Sequence, residues 1–267
     1  LGKAELNGSD YHVTGRWPFG SGSENADWIC GGCFVYENGE QVMGPHGPET
    51  RLMMFKAEDV EIEDTWNVSG LKGTGSHHFN VKDLVVPRGR SILLGSRAKI
   101  QTPLYQFPML GLLALGVASV SLGIGFAALE AFKDLAGVKK PTGSNRKLVD
   151  RQMVQSEVAR SVADLESAEA YMQKVIDDAW TIAERGERLS LEHKAALRLA
   201  AVNATHKSVA AVDRLYQLGG GTSIYSDNPL QKCFRDVHVT TQHIMVAAPI
   251  FELVGKVQLG LDPRQPL

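Results

Sequence analysis

Residues 17–28 read Trp17-Pro-Phe-Gly-Ser-Gly-Ser-Glu-Asn-Ala-Asp-Trp28, a hydroxyl-bearing turn set between an aromatic residue and an apolar run that begins at Trp28. Glycines at 20 and 22 remove Cβ bulk, so backbone N–H groups there could approach a flat ligand closely. Phe19 offers a ring face, and Ser21 offers one donor and two acceptor lone pairs. Alone, such a stretch is as readily ordinary turn chemistry as a ligand turn. Its surroundings read as sheet. Tyr11 to Gly15, Trp28 to Tyr36, Thr50 to Lys56 and Phe79 to Val86 each have strand length and β-branched or aromatic content. Turn clusters such as Gly44-Pro-His-Gly-Pro48 separate them, and Asn38-Gly39 is a two-residue hairpin signal.

Beyond Pro108 the period changes. Leu110 to Leu135 is apolar nearly all round, and Phe107 to Leu129 carries no charge. By length alone that segment could span a bilayer. Its interspersed Gly111, Gly116, Gly123 and Gly125 also suit close helix contacts, and beside charged amphipathic helices it reads as the buried helix of a bundle. Val154, Val158, Val162, Leu165, Met172, Val175 and Ala179 form one stripe of steps three and four within Lys147 to Glu184. Ser190 is the expected N-cap of a third helix that runs to Leu218 and stops at Gly219-Gly220-Gly221. A fourth helix is expected from Pro229 towards Gly255, interrupted near Pro249. The expected fold class is α+β: a small β-sandwich or barrel-like domain over residues 1–94, then an antiparallel four-helix bundle over residues 103–267.

The 267 residues are enough for one large domain or two smaller ones with real cores. With 43% apolar and 22% charged residues the composition is that of a soluble globular protein, and a net charge of −2 gives no electrostatic reason to expect nucleic acid or an anionic membrane. Three cysteines argue against a disulfide framework and fit a reducing, cytoplasmic compartment. Cys30-Gly-Gly-Cys33 has redox spacing, but it lies in a strand-like run without the helix N-terminus that lowers a thiol pKa. Two small buried or half-buried thiols are the expectation. No metal site is expected. Cys233 stands alone, and His77-His78 on a strand would face opposite sides.

A second block, Asp64-Thr-Trp-Asn-Val-Ser-Gly-Leu-Lys-Gly-Thr-Gly-Ser76 followed by Phe79-Asn-Val-Lys-Asp-Leu-Val-Val-Pro87, joins the turn at 17–28 to a known pattern. Together they resemble the strand domain of acyl-CoA dehydrogenase-like flavoproteins. More narrowly, they resemble the oxygenase component of two-component (group D) flavin-dependent aromatic monooxygenases. The resemblance runs from about Leu6 to Gly260. Relatives carry a helical domain ahead of this point, and the chain opens without Met, so a trimmed protein is expected.

The resemblance implies hydroxylation of a phenolic or other aromatic substrate through a flavin C4a-hydroperoxide, with molecular oxygen as co-substrate. It implies that Phe19, Gly20, Ser21 and Gly22 lie against the flavin, with the Ser21 hydroxyl at N5. It also brings His78 or Ser76 near the flavin, and Gly220 and Gly221 against a flavin of a neighbouring subunit in a homotetramer. The cofactor is reduced flavin, FMN or FAD, because only Arg146 and Gln152 loosely match the residues that hold a dinucleotide tail. Since no strand–Gly-rich turn–helix segment suits a nicotinamide, the reduced flavin is expected from a separate NAD(P)H-dependent reductase.

In the dehydrogenases, Arg-Asp opens the helix that carries the catalytic glutamate. Here Arg235-Asp236 is followed by Ile244 at the glutamate position, with no Asp or Glu between Val237 and Ile250. His243 instead resembles the histidine of the hydroxylases, a base that could deprotonate a phenol. His238, five residues earlier, is the fallback base. Ser21 and His243 are expected to face one cleft. An acyl-CoA dehydrogenase or oxidase and a non-catalytic flavin-binding fragment are the alternatives. Trp28 and Trp66 are expected in the core.

Overall fold

The structure is a computed structural model describing residues 1–45, 47–93, 96 and 98–267. The expected end of the first domain, Leu94, lies outside the described residues. The chain divides into two compact units, Leu1–Val68 with Lys72–Arg97, and Ser69–Leu71 with Ala98–Leu267.

In the first unit the strands are β1 (Gly2–Asn7), β2 (Asp10–Trp17), β3 (Trp28–Glu37), β4 (Glu40–Gln41), β5 (Met43–Gly44), β6 (Gly47–Pro48), β7 (Thr50–Lys56), β8 (Glu61–Glu63), β9 (His78–Pro87) and β10 (Ser91–Leu93). The main sheet runs β10-β7-β3-β1-β2-β9-β8, with β4 paired to β3 and with β5 and β6 forming a separate ribbon. Only β1 and β3 pair in parallel among the described strands. Asn38 and Gly39 both have positive φ, 53° and 81°, as the two-residue hairpin between β3 and β4 requires.

Alternation along β3 buries Ile29, Cys33 and Val35 against Tyr11, Val13, Met53, Phe55 and Phe79. Trp17 closes this core at the foot of the ligand turn. Its ring stacks on Phe79 at 5.1 Å, and its indole N–H donates to the Gly32 carbonyl at 2.8 Å. A Cβ on Gly31 would come within 2.7 Å of that indole, so the glycines of Cys30-Gly-Gly-Cys33 serve the tryptophan. Cys30 is exposed and Cys33 buried, on opposite faces of β3. Burial pushes the Cys33 thiol up to about 12, which leaves it protonated and unreactive. Trp28, expected in the core, is 43% exposed and lies under the Arg90 guanidinium at 4.9 Å. The alternation that buries Ile29 necessarily turns Trp28 outward.

The second unit holds α1 (Pro103–Gln106), α2 (Met109–Val138), α3 (Gln152–Glu184), α4 (Leu191–Gly219), α5 (Pro229–Thr240) and α6 (Pro249–Gln258). Strands precede Pro103 and helices follow it, so the α+β class is borne out. Ser190 caps α4 by accepting the His193 N–H, and Gly220 ends it at φ 56° and ψ −148°, a backbone conformation that only glycine adopts readily. The central helix is α4, which packs on α2, α3, α5 and α6. Its Ala195, Ala200, Ala201, Ala204 and Ala211 are fully buried, small enough to let neighbouring helices approach closely. Phe132, Leu165, Leu197, Leu215 and Leu230 fill the remaining core.

The fourth helical segment differs from expectation. It ends at Thr240, well before Pro249, so His243 lies in a turn and not inside a helix. Threonine chemistry accounts for the break. The Thr240 hydroxyl donates to the Val237 carbonyl at 2.6 Å and the Thr241 hydroxyl to the His238 carbonyl at 2.7 Å, saturating the last turn from the side. Thr240 is itself anchored, accepting from the Ser121 hydroxyl of α2 at 3.0 Å in a buried knot that includes Thr205 of α4.

Candidate active site

The ligand turn in the first unit is stitched to the Gly-Thr-Gly-Ser loop by main-chain bonds. Gly20 N–H donates to the His77 carbonyl and Gly22 N–H to the Thr74 carbonyl, both at 2.8 Å. These bonds hold Phe19 at φ 63°, a conformation that costs a bulky residue about 1–3 kcal/mol and that clusters at functional sites. The strained backbone turns the Phe19 ring outward, 71% exposed, with its edge towards Trp66 at 6.3 Å. Beside it, the exposed Ser21 hydroxyl lies 2.7 Å from that of Ser76, which lies 2.7 Å from the Thr74 hydroxyl. Ser76 is buried, so it sets the orientation of the Ser21 hydroxyl from behind. The two serines are 55 positions apart in sequence.

A cavity of about 460 Å³ opens here, lined by Phe19, Ser21, Ser23, Trp28, Cys30 and Phe79 among others. The Ser23 hydroxyl on its wall is buried and has no protein partner. Unpaired buried hydroxyls mark places where a further polar group belongs. His77 was legible only as one of two adjacent histidines, yet it organises the loop. Its side chain is nearly buried, and its Nδ1 accepts the N–H groups of Thr65 and Trp66 at 3.1 and 3.2 Å. His78 instead faces Arg16, its Nδ1 2.7 Å from the guanidinium. No cluster with metal-binding composition occurs among the described residues.

In the second unit, His243 donates its backbone N–H to the Thr240 carbonyl, and its Nδ1 accepts the Met245 N–H at 3.2 Å. The residue is exposed in the turn, but its ring is crowded enough to lose hydration, which pushes its pKa below the ordinary histidine value. His206 on α4 is lowered by the same cause. Folding therefore favours both rings neutral. Their contribution to stability should be full above the unfolded histidine pKa of about 6.5 and should fall as pH drops below it towards the depressed folded values. Denaturation midpoints measured across that range check the sign. His238, the fallback base, is engaged elsewhere: its Nε2 lies 2.9 Å from Asp213 on α4, and its ring packs on Phe234 at 4.6 Å.

Arg235 and Asp236 have a holding role in this unit. The Asp236 carboxylate accepts the Leu71 N–H at 2.7 Å and also pairs with Lys232, while the Arg235 guanidinium donates to the Ser69 carbonyl at 3.0 Å. Gly220 and Gly221 line a cavity of about 1090 Å³ built wholly from the helical unit, with Lys139, Arg151, Arg214 and Tyr225 on its walls. Lys139 donates to the Gly219 carbonyl at 2.5 Å and to the Thr222 hydroxyl at 2.6 Å, and the buried Ser223 hydroxyl has no protein partner. The turn after α4 is thus both a helix cap and one wall of a cationic pocket. Gly220 and Gly221 were singled out in the sequence, but Arg198, Asp213 and the Arg151 and Arg214 walls of this pocket were not. The one available signal was Arg198 on the apolar face of an alanine-rich helix.

Comparison with known proteins follows the same lines. A family profile described as "Acyl-CoA dehydrogenase, C-terminal domain" matches residues 115–248. The chain is 30% identical over 260 residues to an indole-3-acetate monooxygenase of Acinetobacter baumannii, covering 97% of this chain and 66% of that protein. It is 26% identical to the flavin-dependent monooxygenase, oxygenase subunit HsaA, of Mycobacterium tuberculosis, covering 98% of this chain and 68% of that one. Among solved structures it superposes on XiaF from Streptomyces sp., in complex with FADH2 and glycerol, with a TM-score of 0.91 at 28% identity. That match covers 100% of this chain and 68% of XiaF. The chain spans about two thirds of the length of the relatives it matches.

Proposed function

Since this chain belongs to the acyl-CoA dehydrogenase family of flavoproteins, we propose that it is the oxygenase component of a two-component flavin monooxygenase hydroxylating a phenolic or other small aromatic substrate. The observation that carries this reading is the Ser21 hydroxyl, exposed beside the outward Phe19 ring and backed by the buried Ser76. The ligand turn fits a flavin edge: the ring face is open, the hydroxyl is oriented, and the cavity wall holds an unpaired buried hydroxyl at Ser23. Reduced flavin bound there would supply oxygen activation and transfer to an aromatic ring. Phe19 would cover the flavin, Ser21 would hold a hydrogen bond at N5, and His243 would meet the substrate's oxygen. The run from Val237 to Ile250 lacks a carboxylate, which disfavours α-proton abstraction from an acyl-CoA.

FAD is the proposed flavin. The cationic walls of the Gly220 pocket suit a pyrophosphate, and the XiaF structure is described with FADH2. A tail bound there would belong to a flavin of another copy, in keeping with a homotetramer. The outer face of α2 supports that assembly: Leu112, Leu113 and Val120 are 46%, 49% and 53% exposed, and Gly116 and Gly123 beside them meet nothing within 4 Å. This helix is also long and apolar enough to cross a membrane, with 44% of its most apolar window buried. Symmetric association would cover the face just as well. The reduced flavin would come from a separate reductase, as the description "oxygenase subunit" implies for the HsaA relative.

The purified protein, given reduced FAD, oxygen and a panel of phenols, should return hydroxylated product. Bleaching of oxidised FAD by an acyl-CoA, with no phenol hydroxylated, would overturn the reading. Ser21→Ala should divert turnover to hydrogen peroxide. A hydrogen bond of about 1.5 kcal/mol lost at N5 corresponds to a roughly tenfold rise in peroxide released per product formed. Ser76→Ala should raise it less, since Ser21 stays but loses its orientation. An unchanged peroxide ratio in Ser21→Ala would remove the serine from the site.

A further inference from the structure

Arg198 of α4 is a buried cation, 4% exposed, whose Nε has no partner. Among the described residues no carboxylate pairs with it. Its guanidinium instead donates to the Met245 carbonyl at 3.3 Å. Met245 is the residue whose N–H donates to His243 Nδ1 at 3.2 Å. Burying an unpaired guanidinium is costly, and here it is directed at the main chain of the turn that carries His243. Met245 is therefore held from its carbonyl side by Arg198 while its amide engages the imidazole.

That arrangement dictates a tautomer. A neutral imidazole carries one proton, and the nitrogen that accepts an N–H cannot hold it. With Nδ1 accepting from Met245, the proton of neutral His243 resides on Nε2. The lowered pKa of the ring keeps it neutral at ordinary pH. A general base needs a bare nitrogen towards the substrate, and the bare nitrogen here is taken. We propose that Arg198 acts through Met245 as a positioning residue that presents His243 to the substrate's oxygen as an Nε2–H hydrogen-bond donor, not as a proton acceptor. The substrate's O–H bond then ionises to water, and the donor stabilises the oxyanion that activates the ring. No proton passes to the imidazole. This rests on the reading above that His243 meets the substrate.

The test has two arms. Nitrogen NMR of the histidine-labelled chain without flavin should show His243 as the Nε2–H tautomer, and Arg198→Met should mix the two tautomers. A wild-type signal from Nδ1–H would overturn the inference whatever the enzyme does. In the second arm, His243→Gln places an amide donor close to the Nε2 position and should keep hydroxylation within about tenfold of wild type. His243→Ala and His243→Asn should lose about 10²-fold, the usual loss of one aimed donor. If His243→Gln falls as far as His243→Ala, the residue is a base and the proposal is wrong. A failure of the oxygenase reading would look different: the wild type would hydroxylate nothing, while the tautomer arm still reads out. Should Arg198→Met not fold, the wild-type spectrum and the glutamine variant decide.

Discussion

Phe132→Ala is expected to cost the helical unit about 3–5 kcal/mol. Phe132 is fully buried in α2, within the cluster that includes Leu129, Leu165, Leu215 and Leu230. Removing the ring forfeits its transfer free energy and leaves a void that the neighbours cannot close. The helices are already in close contact, since even a Cβ on Gly125 of α2 would sit 2.5 Å from Leu165 of α3. Urea unfolding followed by helical circular dichroism checks this. The midpoint should fall steeply while the slope is unchanged, and a loss below about 1 kcal/mol would mean that the core is looser than described.

Gly70→Ala should cost about 3 kcal/mol, although it adds only a methyl group. The new Cβ would lie 2.4 Å from the Arg235 carbonyl oxygen, 2.6 Å from its carbon and 2.8 Å from the Asp236 nitrogen. All three are main-chain atoms of α5, so no side chain can swing away. Relief requires the Ser69–Leu71 segment to leave α5, which breaks the Leu71 N–H to Asp236 bond and leaves that buried carboxylate with Lys232 alone. Hydroxylation should fall with stability, because α5 leads directly into the turn that bears His243. Gly73→Ala is the control. Nothing lies within 4 Å of its added Cβ, and it should stay within about 0.5 kcal/mol of wild type. If the two variants behave alike, the contact with α5 is not what selects glycine at 70.

Strand and helix positions were legible because each rests on local rules. Period-two alternation marked β3 and β9, period-3.6 stripes marked α3, and Ser190 and Gly220 bounded α4 through caps that act within one turn. The turn at 17–28 and the Gly-Thr-Gly-Ser block drew their meaning from the family resemblance, because glycine and serine beside an aromatic residue serve ordinary turns just as well. Local rules failed at α5. With Pro249 as the first breaker, a helix was expected through His243, but Thr240 and Thr241 bond back to the carbonyls of Val237 and His238 and end it there. Thr240 does so with its hydroxyl held by Ser121, 119 positions away.

What the sequence by itself determined is the class of fold and the course of its elements, the end of α5 excepted. These follow from patterning and turn chemistry, which need no distant partner. Only the tertiary structure decided which groups act together. It set Ser76 behind Ser21, gave Trp17 the space over Gly31, took His238 away to Asp213, and put Arg198 beneath the turn that carries His243. The physical reason is that a hydrogen bond or a close contact depends on separation in space. The chain encodes that separation only through the packing of whole elements, and no single stretch of residues carries it.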